Sequence, residues 1–225
     1  MLKTVLFDID NTLLSFDDYV RTAMHDGFQK FGLRTYEPWM FEVFSTHNAR
    51  LWRAVEQGEM TLDALEKVRW NDIFRELQIC FDGEVFEDYF KAELFHSAIV
   101  IDGARETLDA LHGKYTLAVA SNGPLDQQRN RLALAGMLDD FDALFVSQDI
   151  GCNKPARAFF DECLRRLGNA PEEVLMVGDS LTSDMLGGEQ AGLRTCFYNP
   201  HGKPVPASLH VDYNIRSLRE LTVLL

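Results

Sequence analysis

The segment TVLFDIDNT, residues 4–12, joins a short apolar run to two aspartates that are separated by one residue. Such a run, bounded by polar residues, predicts a buried strand that ends in a polar loop. Similar runs, each close to Gly, Asn, Asp or Ser, occupy residues 115–120, 143–146, 174–177 and 195–198. Helix-like segments lie between them, at residues 103–111, 125–135, 156–167 and 183–191. The alternation predicts an α/β fold with a doubly wound, Rossmann-like parallel sheet.

Residues 16–95 interrupt this alternation. Apolar residues recur there at helical spacing, as Leu51 and Val55 do, and no strand-like run is present. We therefore expect an inserted all-helical cap, joined to the rest of the chain by short hinges near Ser15 and Ile99. The predicted domains are a Rossmann-like core of residues 1–15 and 96–225 and a helical cap of residues 16–95.

The composition is that of a compact acidic protein, with 46% hydrophobic residues, 25% charged residues and a formal net charge of -13. A negative potential repels nucleic-acid backbones and anionic membrane surfaces, and the sequence has no basic run that would override it. We therefore expect a small metabolite as the partner, and neither a nucleic-acid polymer nor a membrane. An anionic ligand would also be repelled, so a phosphate site in this chain needs cations of its own.

The four cysteines are widely spaced and form no C-x-x-C pair, which argues against a zinc site or a redox motif. The first residues enter an apolar strand without the features of a signal peptide. We expect reduced thiols and a cytoplasmic protein, either a monomer or a homodimer. The cysteines are Cys80, Cys152, Cys163 and Cys196.

Polar side chains follow four of the predicted strands, where ligands bind in doubly wound sheets. In strand order they are Asp8 and Asp10, Ser121 and Asn122, Lys154, and Asp179 with Asp184. An isolated aspartate after a strand is a common turn residue. Four strands ending in such groups are stronger evidence of a site than any one motif.

The residue types at these strand ends suit phosphoryl transfer. Neighbouring carboxylates need a cation, and Mg²⁺ prefers oxygen ligands such as those of Asp8, Asp10 and Asp179. Asp8 is a suitable nucleophile, and Asp10 can protonate the leaving group and then activate water. The candidate phosphate-binding residues are Thr12, Ser121, Asn122 and Lys154.

Four motifs resemble, in order and spacing, those of the haloacid dehalogenase-like hydrolase superfamily. They are DIDNTL at residues 8–13, SNG at 121–123, KP at 154–155 and GDSLTSD at 178–184. The resemblance spans the chain outside the insertion. A helical cap directly after the first motif is similar to the subfamily with that cap type, so the resemblance implies the same two-domain fold.

The resemblance also implies roles for the two leading aspartates. Asp8 would be the nucleophile and a metal ligand. Asp10 would be the acid/base and would offer its main-chain carbonyl to the metal. The presence of Asp10 favours a phosphatase, because the dehalogenases of the superfamily lack this second aspartate and the phosphonate-cleaving members replace it.

The remaining motif residues take supporting roles in the same comparison. Ser121 and Lys154 would bind the phosphate, and Asp179 would be a ligand of Mg²⁺. Asp184 would orient Lys154 or a metal-bound water.

A finer resemblance concerns the substrate. Residues 51–61 and 187–193 are similar to pyrimidine 5′-nucleotidases and to acylneuraminate 9-phosphatases, which favours a nucleoside 5′-monophosphate. The alternatives are a sugar-phosphate phosphatase of the acylneuraminate 9-phosphate or phosphoglycolate type, a phosphomutase, and a non-catalytic protein that binds a phosphorylated ligand. Candidate specificity residues in the cap are Phe16, Asn48, Trp52 and Arg53, although an aromatic residue at helical spacing more often packs in a core.

Overall fold

The computed structural model describes all residues, 1–225, and divides the chain into two compact units. One unit contains Met1–Ser15 and Ala98–Leu225, and the other contains Phe16–Ser97. The first unit holds one sheet of six parallel strands in the order β3-β2-β1-β4-β5-β6. The strands are β1 (Thr4–Phe7), β2 (Thr116–Ser121), β3 (Ala143–Val146), β4 (Val174–Gly178), β5 (Arg194–Tyr198) and β6 (Tyr213–Ile215).

Strand β1 lies in the middle of this sheet and is buried along its whole length. Leu6 is in register with Ala118 of β2 on one side and with Met176 of β4 on the other. Burial on both faces explains why this strand is apolar throughout rather than alternating. The predicted α/β class and parallel sheet are confirmed.

Ten α-helices accompany the sheet, and most follow the predicted segments. The predicted helix at 183–191 differs, because its first part is a single π-helical turn, Leu181–Met185. In chain order the helices are α1 (Phe16–Lys30), α2 (Met40–Glu56), α3 (Leu62–Glu76), α4 (Gly83–Phe95), α5 (Ala104–Leu111), α6 (Leu125–Leu134), α7 (Ser147–Ile150), α8 (Arg157–Leu167), α9 (Leu186–Ala191) and α10 (Leu221–Leu224). None of them combines the length and the apolar character that a membrane span requires.

Strand β6 is not predicted by the sequence pattern. It has only three residues and lies at the edge of the sheet, where it pairs with β5. The Asp212 carboxylate just before it accepts a hydrogen bond of 2.8 Å from the Thr195 amide. This side-chain bond, which joins residues 17 positions apart, adds to the ladder that ties the short edge strand to β5.

The unit of Phe16–Ser97 is made of helices α1 to α4 around an aromatic interior. Side chains cap two of these helices: Thr61 accepts from the Ala64 amide at the start of α3, and Asp82 accepts from the Glu84 amide at the start of α4. Trp70 is fully buried, and its indole contacts the rings of Phe44, Phe74, Phe86 and Phe90. The unit has a hydrophobic core of its own.

A buried ion pair lies within this aromatic interior. Arg69 and Glu87 are both about 5% exposed or less, and the Arg69 Nε donates to Glu87 at 3.0 Å. Burial raises the pKa of Glu87, while the Arg69 guanidinium opposes that rise. Asn48 accepts a further hydrogen bond from Arg69 at 3.0 Å.

The two chain segments that join the units pair with each other. The Ser15 amide donates to the Ile99 carbonyl at 2.7 Å, and the Ile101 amide donates to the Leu13 carbonyl at 2.9 Å. Leu14 and Val100 form an antiparallel bridge between these bonds. The expected hinge positions near Ser15 and Ile99 thus lie in one short two-stranded ribbon.

Replacing Glu87 by Gln should lower the free energy of unfolding of the helical unit by about 3–5 kcal/mol, because it leaves the Arg69 charge buried without a counter-charge. The exposed Glu84→Gln on the same helix is the control and should change it by about 0.5 kcal/mol or less. All three tryptophans, Trp39, Trp52 and Trp70, belong to this unit, so tryptophan fluorescence during urea unfolding reports on it. Equal stabilities of the two variants would contradict the prediction.

Candidate active site

Lys154 is the centre of the polar groups at the carboxyl edge of the sheet. It is 1% exposed, and its Nζ donates three hydrogen bonds of 2.6–2.7 Å, to Asp8, Asp184 and the main-chain carbonyl of Ala120. Burial lowers the pKa of Lys154, but the two carboxylates outweigh this effect and hold its pKa above the usual value. The lysine is therefore a fixed buried cation, as a phosphate site in so acidic a chain requires.

Asn122 holds the main chain at Lys154. Its side-chain amide donates to the Lys154 carbonyl at 3.0 Å, and its side-chain oxygen accepts from the Lys154 amide at 2.8 Å. Both polar atoms of the Asn122 side chain are thus engaged with one residue. The main-chain N–H and the second hydrogen of the side-chain amide are the donors that remain for the expected contact of Asn122 with phosphate.

Asp8 lies directly after β1 and shares its surroundings with three other carboxylates. Burial raises the pKa of Asp8 to about 7, Lys154 opposes this rise, and Asp184 and Asp10 add to it. The pKa of Asp179 is also raised well above its ordinary value, first by burial and then by Asp8 and Asp184. Burial first, and the nearby carboxylates second, thus make the carboxyl groups of Asp8 and Asp179 resist ionisation.

Oxygen atoms of Asp8, Asp179 and Asp184 lie within 4.8 Å of one another. One buried ammonium faces these three carboxylates, and it pairs with Asp8 and Asp184 but not with Asp179. The excess negative charge and the hard oxygen donors suit a divalent cation such as Mg²⁺. Asp8 and Asp179 were expected among its ligands, and the third carboxylate of the cluster is that of Asp184.

The fold places Asp184 against the last residue of β4. A side-chain Cβ on Gly178 would lie 2.2 Å from an Asp184 carboxylate oxygen, so only glycine leaves room for this approach. The same carboxylate oxygen accepts a hydrogen bond of 3.1 Å from the Ser180 amide. The π-helical turn therefore delivers a fully buried carboxylate to Lys154. The orienting role of Asp184 stays a prediction.

The carboxylate of Asp10 does not join this cluster. Its Oδ1 accepts from Arg131 at 2.6 Å and its Oδ2 accepts from Gln128 at 2.8 Å, both on α6. The side chain remains 35% exposed. A contribution of Asp10 to a metal through its main-chain carbonyl stays a prediction.

Ser121 and Thr12 differ in their present partners. The Ser121 hydroxyl oxygen accepts from the Gly123 amide and from Gln128, both at 3.1 Å, which leaves its own hydrogen available to an acceptor. Thr12 is fully buried, and its hydroxyl has no hydrogen-bond partner. Both hydroxyls can therefore still donate one hydrogen bond.

The four candidate specificity residues of the cap have different surroundings within their own unit. The ring of Phe16 contacts those of Tyr19, Phe44 and Phe90, and Asn48 bonds Arg69. Trp52 packs on a small apolar cluster of α2 and α3, and Arg53 is exposed.

Three further residues near the site, Gln128, Arg131 and Lys203, are not indicated by the sequence pattern. The first two contact Asp10, and the charge of Lys203 lowers the pKa of Asp179 against the effect of burial. Gln128 and Arg131 are three residues apart, so they share one face of α6 with the buried Leu132 beside them. Polar residues at core positions of an amphipathic helix could have indicated Gln128 and Arg131 as site residues.

Residues 2–192 match the family model described as haloacid dehalogenase-like hydrolase. This chain belongs to that family. The match includes strands β1 to β4, which the candidate site residues of the core follow. The chain is therefore a haloacid dehalogenase-like (HAD-like) hydrolase.

Three relatives cover nearly the whole HAD-like chain. The HAD-hydrolase YfnB of Bacillus subtilis is 34% identical over 97% of this chain and 93% of its own length, and its magnesium-bound crystal structure superposes with a TM-score of 0.91, at 33% identity, over 99% of this chain and 98% of that one. The pyrimidine 5′-nucleotidase YjjG of Escherichia coli is 32% identical over 98% of this chain and 96% of its own. The N-acylneuraminate-9-phosphatase of mouse is 26% identical over 100% of this chain and 94% of its own.

Magnesium should stabilise this HAD-like hydrolase more as the pH rises. The pKa of Asp8 is raised from its ordinary value of 3.8 to about 7, so between these pH values the folded state keeps a proton that the unfolded state has lost. Without metal, the free energy of unfolding therefore falls as the pH rises through that window. Below a pH of about 7 the magnesium ion must displace the proton of Asp8, whereas above that pH the carboxylate is already ionised and can bind the ion directly. The rise in melting temperature caused by Mg²⁺ should therefore be larger at about pH 8 than at about pH 5.5.

Asp179→Asn should remove most of this magnesium effect at high pH, because it deletes one of the three clustered carboxylates. The exposed Asp161→Asn should leave the effect intact and serves as the matched control. Differential scanning calorimetry measures all three proteins. A magnesium effect that is independent of pH, or equal in both variants, would argue against the cluster as the metal site.

Proposed function

We propose that this HAD-like hydrolase is a magnesium-dependent phosphatase that hydrolyses the phosphomonoester of a small metabolite through an aspartyl-phosphate on Asp8. The observation that carries the proposal is the position of Asp8. Its carboxylate follows the central strand, bonds to a buried lysine and lies within a cluster of three carboxylates. Phosphatases among the full-length relatives support the same reaction class.

In the first step an oxygen of Asp8 attacks the phosphorus in line with the leaving oxygen. The bond from phosphorus to the leaving oxygen breaks as the bond to Asp8 forms. Lys154 bonds Oδ1 of Asp8, so Oδ2 is the oxygen free of that bond. Bound Mg²⁺ would offset the charge of the carboxylates and of the phosphoryl oxygens.

Lys154 and the hydroxyl of Ser121 are the proposed phosphate contacts, joined by Thr12 and the main chain of Asn122. The Lys154 ammonium, whose three hydrogens already bond Asp8, Ala120 and Asp184, supplies one full positive charge. The other three residues supply N–H or O–H donors at the end of β2 and in the loops beside it. Fixed donors of this kind stabilise the charge on the equatorial oxygens of the transition state. Asp184 keeps the Lys154 ammonium in place through its own 2.7 Å bond.

Asp10 is the proposed acid/base. It gives a proton to the leaving oxygen in the first step and takes one from the attacking water in the second. That water then breaks the bond between phosphorus and Asp8, which releases inorganic phosphate and restores the carboxylate. The partly exposed side chain of Asp10 is accessible to both the leaving group and water.

A nucleoside 5′-monophosphate is the proposed substrate. Two relatives, in Escherichia coli at 32% identity and in Streptococcus pneumoniae at 29% identity, are pyrimidine 5′-nucleotidases that match this chain almost end to end. The core groups can recognise only phosphate and metal, so the helical cap would select the leaving group. The mouse N-acylneuraminate-9-phosphatase keeps a sugar phosphate as the second candidate.

Asp8→Asn should abolish turnover, because an amide cannot form the acyl phosphate. The substrate for this test is radiolabelled in its phosphoryl group. Wild-type protein that is quenched in acid during turnover should carry a label that hydroxylamine removes, and Asp8→Asn should carry none. Asp161→Asn, an exposed aspartate, should behave like the wild type. The melting temperature of metal-free Asp8→Asn should not fall, because the substitution removes one charge from a repulsive cluster. Normal phosphate release by Asp8→Asn would disprove the covalent mechanism.

A screen of phosphorylated metabolites tests the substrate. With Mg²⁺ present, kcat/KM should be highest for a pyrimidine nucleoside 5′-monophosphate and lower for acylneuraminate 9-phosphate, phosphoglycolate and other sugar phosphates. No bisphosphate activator should be needed, which separates a phosphatase from a phosphomutase. Faster hydrolysis of a sugar phosphate would replace the nucleotide and keep the phosphatase, whereas no turnover of any substrate would favour a binding protein.

A further inference from the structure

Asp10 is held by a closed set of hydrogen bonds from α6. Arg131 Nη1 donates to Oδ1 of Asp10 at 2.6 Å, and Gln128 Nε2 donates to Oδ2 at 2.8 Å. Arg131 Nη1 also donates to Oε1 of Gln128 at 3.1 Å. Since arginine can only donate, this bond fixes which end of the Gln128 amide faces Asp10.

We propose that Gln128 and Arg131 are the positioning residues of Asp10, which hold its carboxylate where it exchanges protons with the leaving group and the water. This inference rests on the acid/base role of Asp10 proposed above. Each oxygen of the carboxylate has its own donor, so the group cannot rotate about its Cβ–Cγ bond without breaking a bond. General acid/base catalysis requires this kind of fixed geometry.

The burial of the two donors supports a built arrangement. Gln128 is 0% exposed and Arg131 is 1% exposed, whereas the Asp10 side chain is 35% exposed. A buried guanidinium needs an anionic partner, and the carboxylate of Asp10 supplies one. The donors therefore hold Asp10 from its buried side and leave its other side accessible to substrate and water.

Gln128 also links Asp10 to the proposed phosphate site. The same Nε2 atom donates to the Ser121 hydroxyl at 3.1 Å, so both of its hydrogens are used. A Cβ on residue 123 would lie 2.3 Å from this Nε2, so Gly123 leaves the space that the amide occupies. One side chain thus sets the acid/base relative to a group that would contact the phosphate.

The test compares two substrates that differ in their need for a proton. Glycerol 2-phosphate has a poor alkoxide leaving group that needs the acid, whereas 2,4-dinitrophenolate leaves without one. Gln128→Met should lower kcat/KM for glycerol 2-phosphate by about 10-fold to 100-fold, the range expected when a reacting group is displaced. It should change kcat/KM for 2,4-dinitrophenyl phosphate little, because this constant reports only steps up to departure of the leaving group.

Arg131→Lys is the second variant, because it keeps the buried charge and the fold while it loses the planar fork. It should show the same dependence on the leaving group. Gln127→Met and the exposed Arg129→Lys, on the same helix, are the matched controls and should change neither constant. Equal losses on both substrates in Gln128→Met, or no loss on either, would overturn the inference.

A double substitution separates positioning from a general structural role. In the Asp10→Asn background, Gln128→Met should lower turnover of either substrate no further, because its partner is already disabled. A further loss of the same size as in the wild-type background would show that Gln128 acts independently of Asp10, which contradicts the proposal.

Asp10→Asn alone shows which proposal has failed. If it does not lose more activity on glycerol 2-phosphate than on 2,4-dinitrophenyl phosphate, Asp10 is not the acid and both proposals fail. If it shows this dependence and Gln128→Met and Arg131→Lys do not, only the positioning role fails.

Discussion

The site depends on one buried positive charge. The Lys154 ammonium can be stable at 1% exposure only if acceptors surround it, and it finds one on each of three separate parts of the fold. Asp8 follows β1, Ala120 belongs to β2, and Asp184 lies on the π-helical turn after β4. The requirement to satisfy this ammonium therefore ties the ends of neighbouring strands into one constellation.

The two aspartates of the first motif lie in one loop but in two different chemical environments. Asp8 faces the buried lysine and two further carboxylates, whereas Asp10 faces the arginine and glutamine of α6. Ile9 between them is fully buried, which anchors the loop in the core. Separate partners give the proposed nucleophile and the proposed acid/base different electrostatic surroundings although only one residue separates them.

The two units have independent interiors. The core unit packs two apolar layers on the faces of its sheet, and the helical unit has an aromatic core with its own buried ion pair. All residues proposed for the chemistry belong to the core unit, and the residues proposed to recognise the leaving group belong to the helical unit. Under the proposed function, this division allows the substrate to change while the phosphoryl chemistry stays the same.

The sequence by itself determined the α/β class, because fully buried parallel strands must be apolar and their ends must be polar where the chain enters loops. It also placed Asp8, Lys154 and Asp184 at strand ends, since the motif spacing is local. Only the tertiary structure decided that Gln128 and Arg131 meet Asp10, across 118 and 121 residues of chain, and that β6 joins the sheet. A polar residue on a buried helix face does not reveal its partner from spacing, because the partner is set by how the helix packs on the sheet. The geometry around the proposed acid/base is therefore a property of the packed fold.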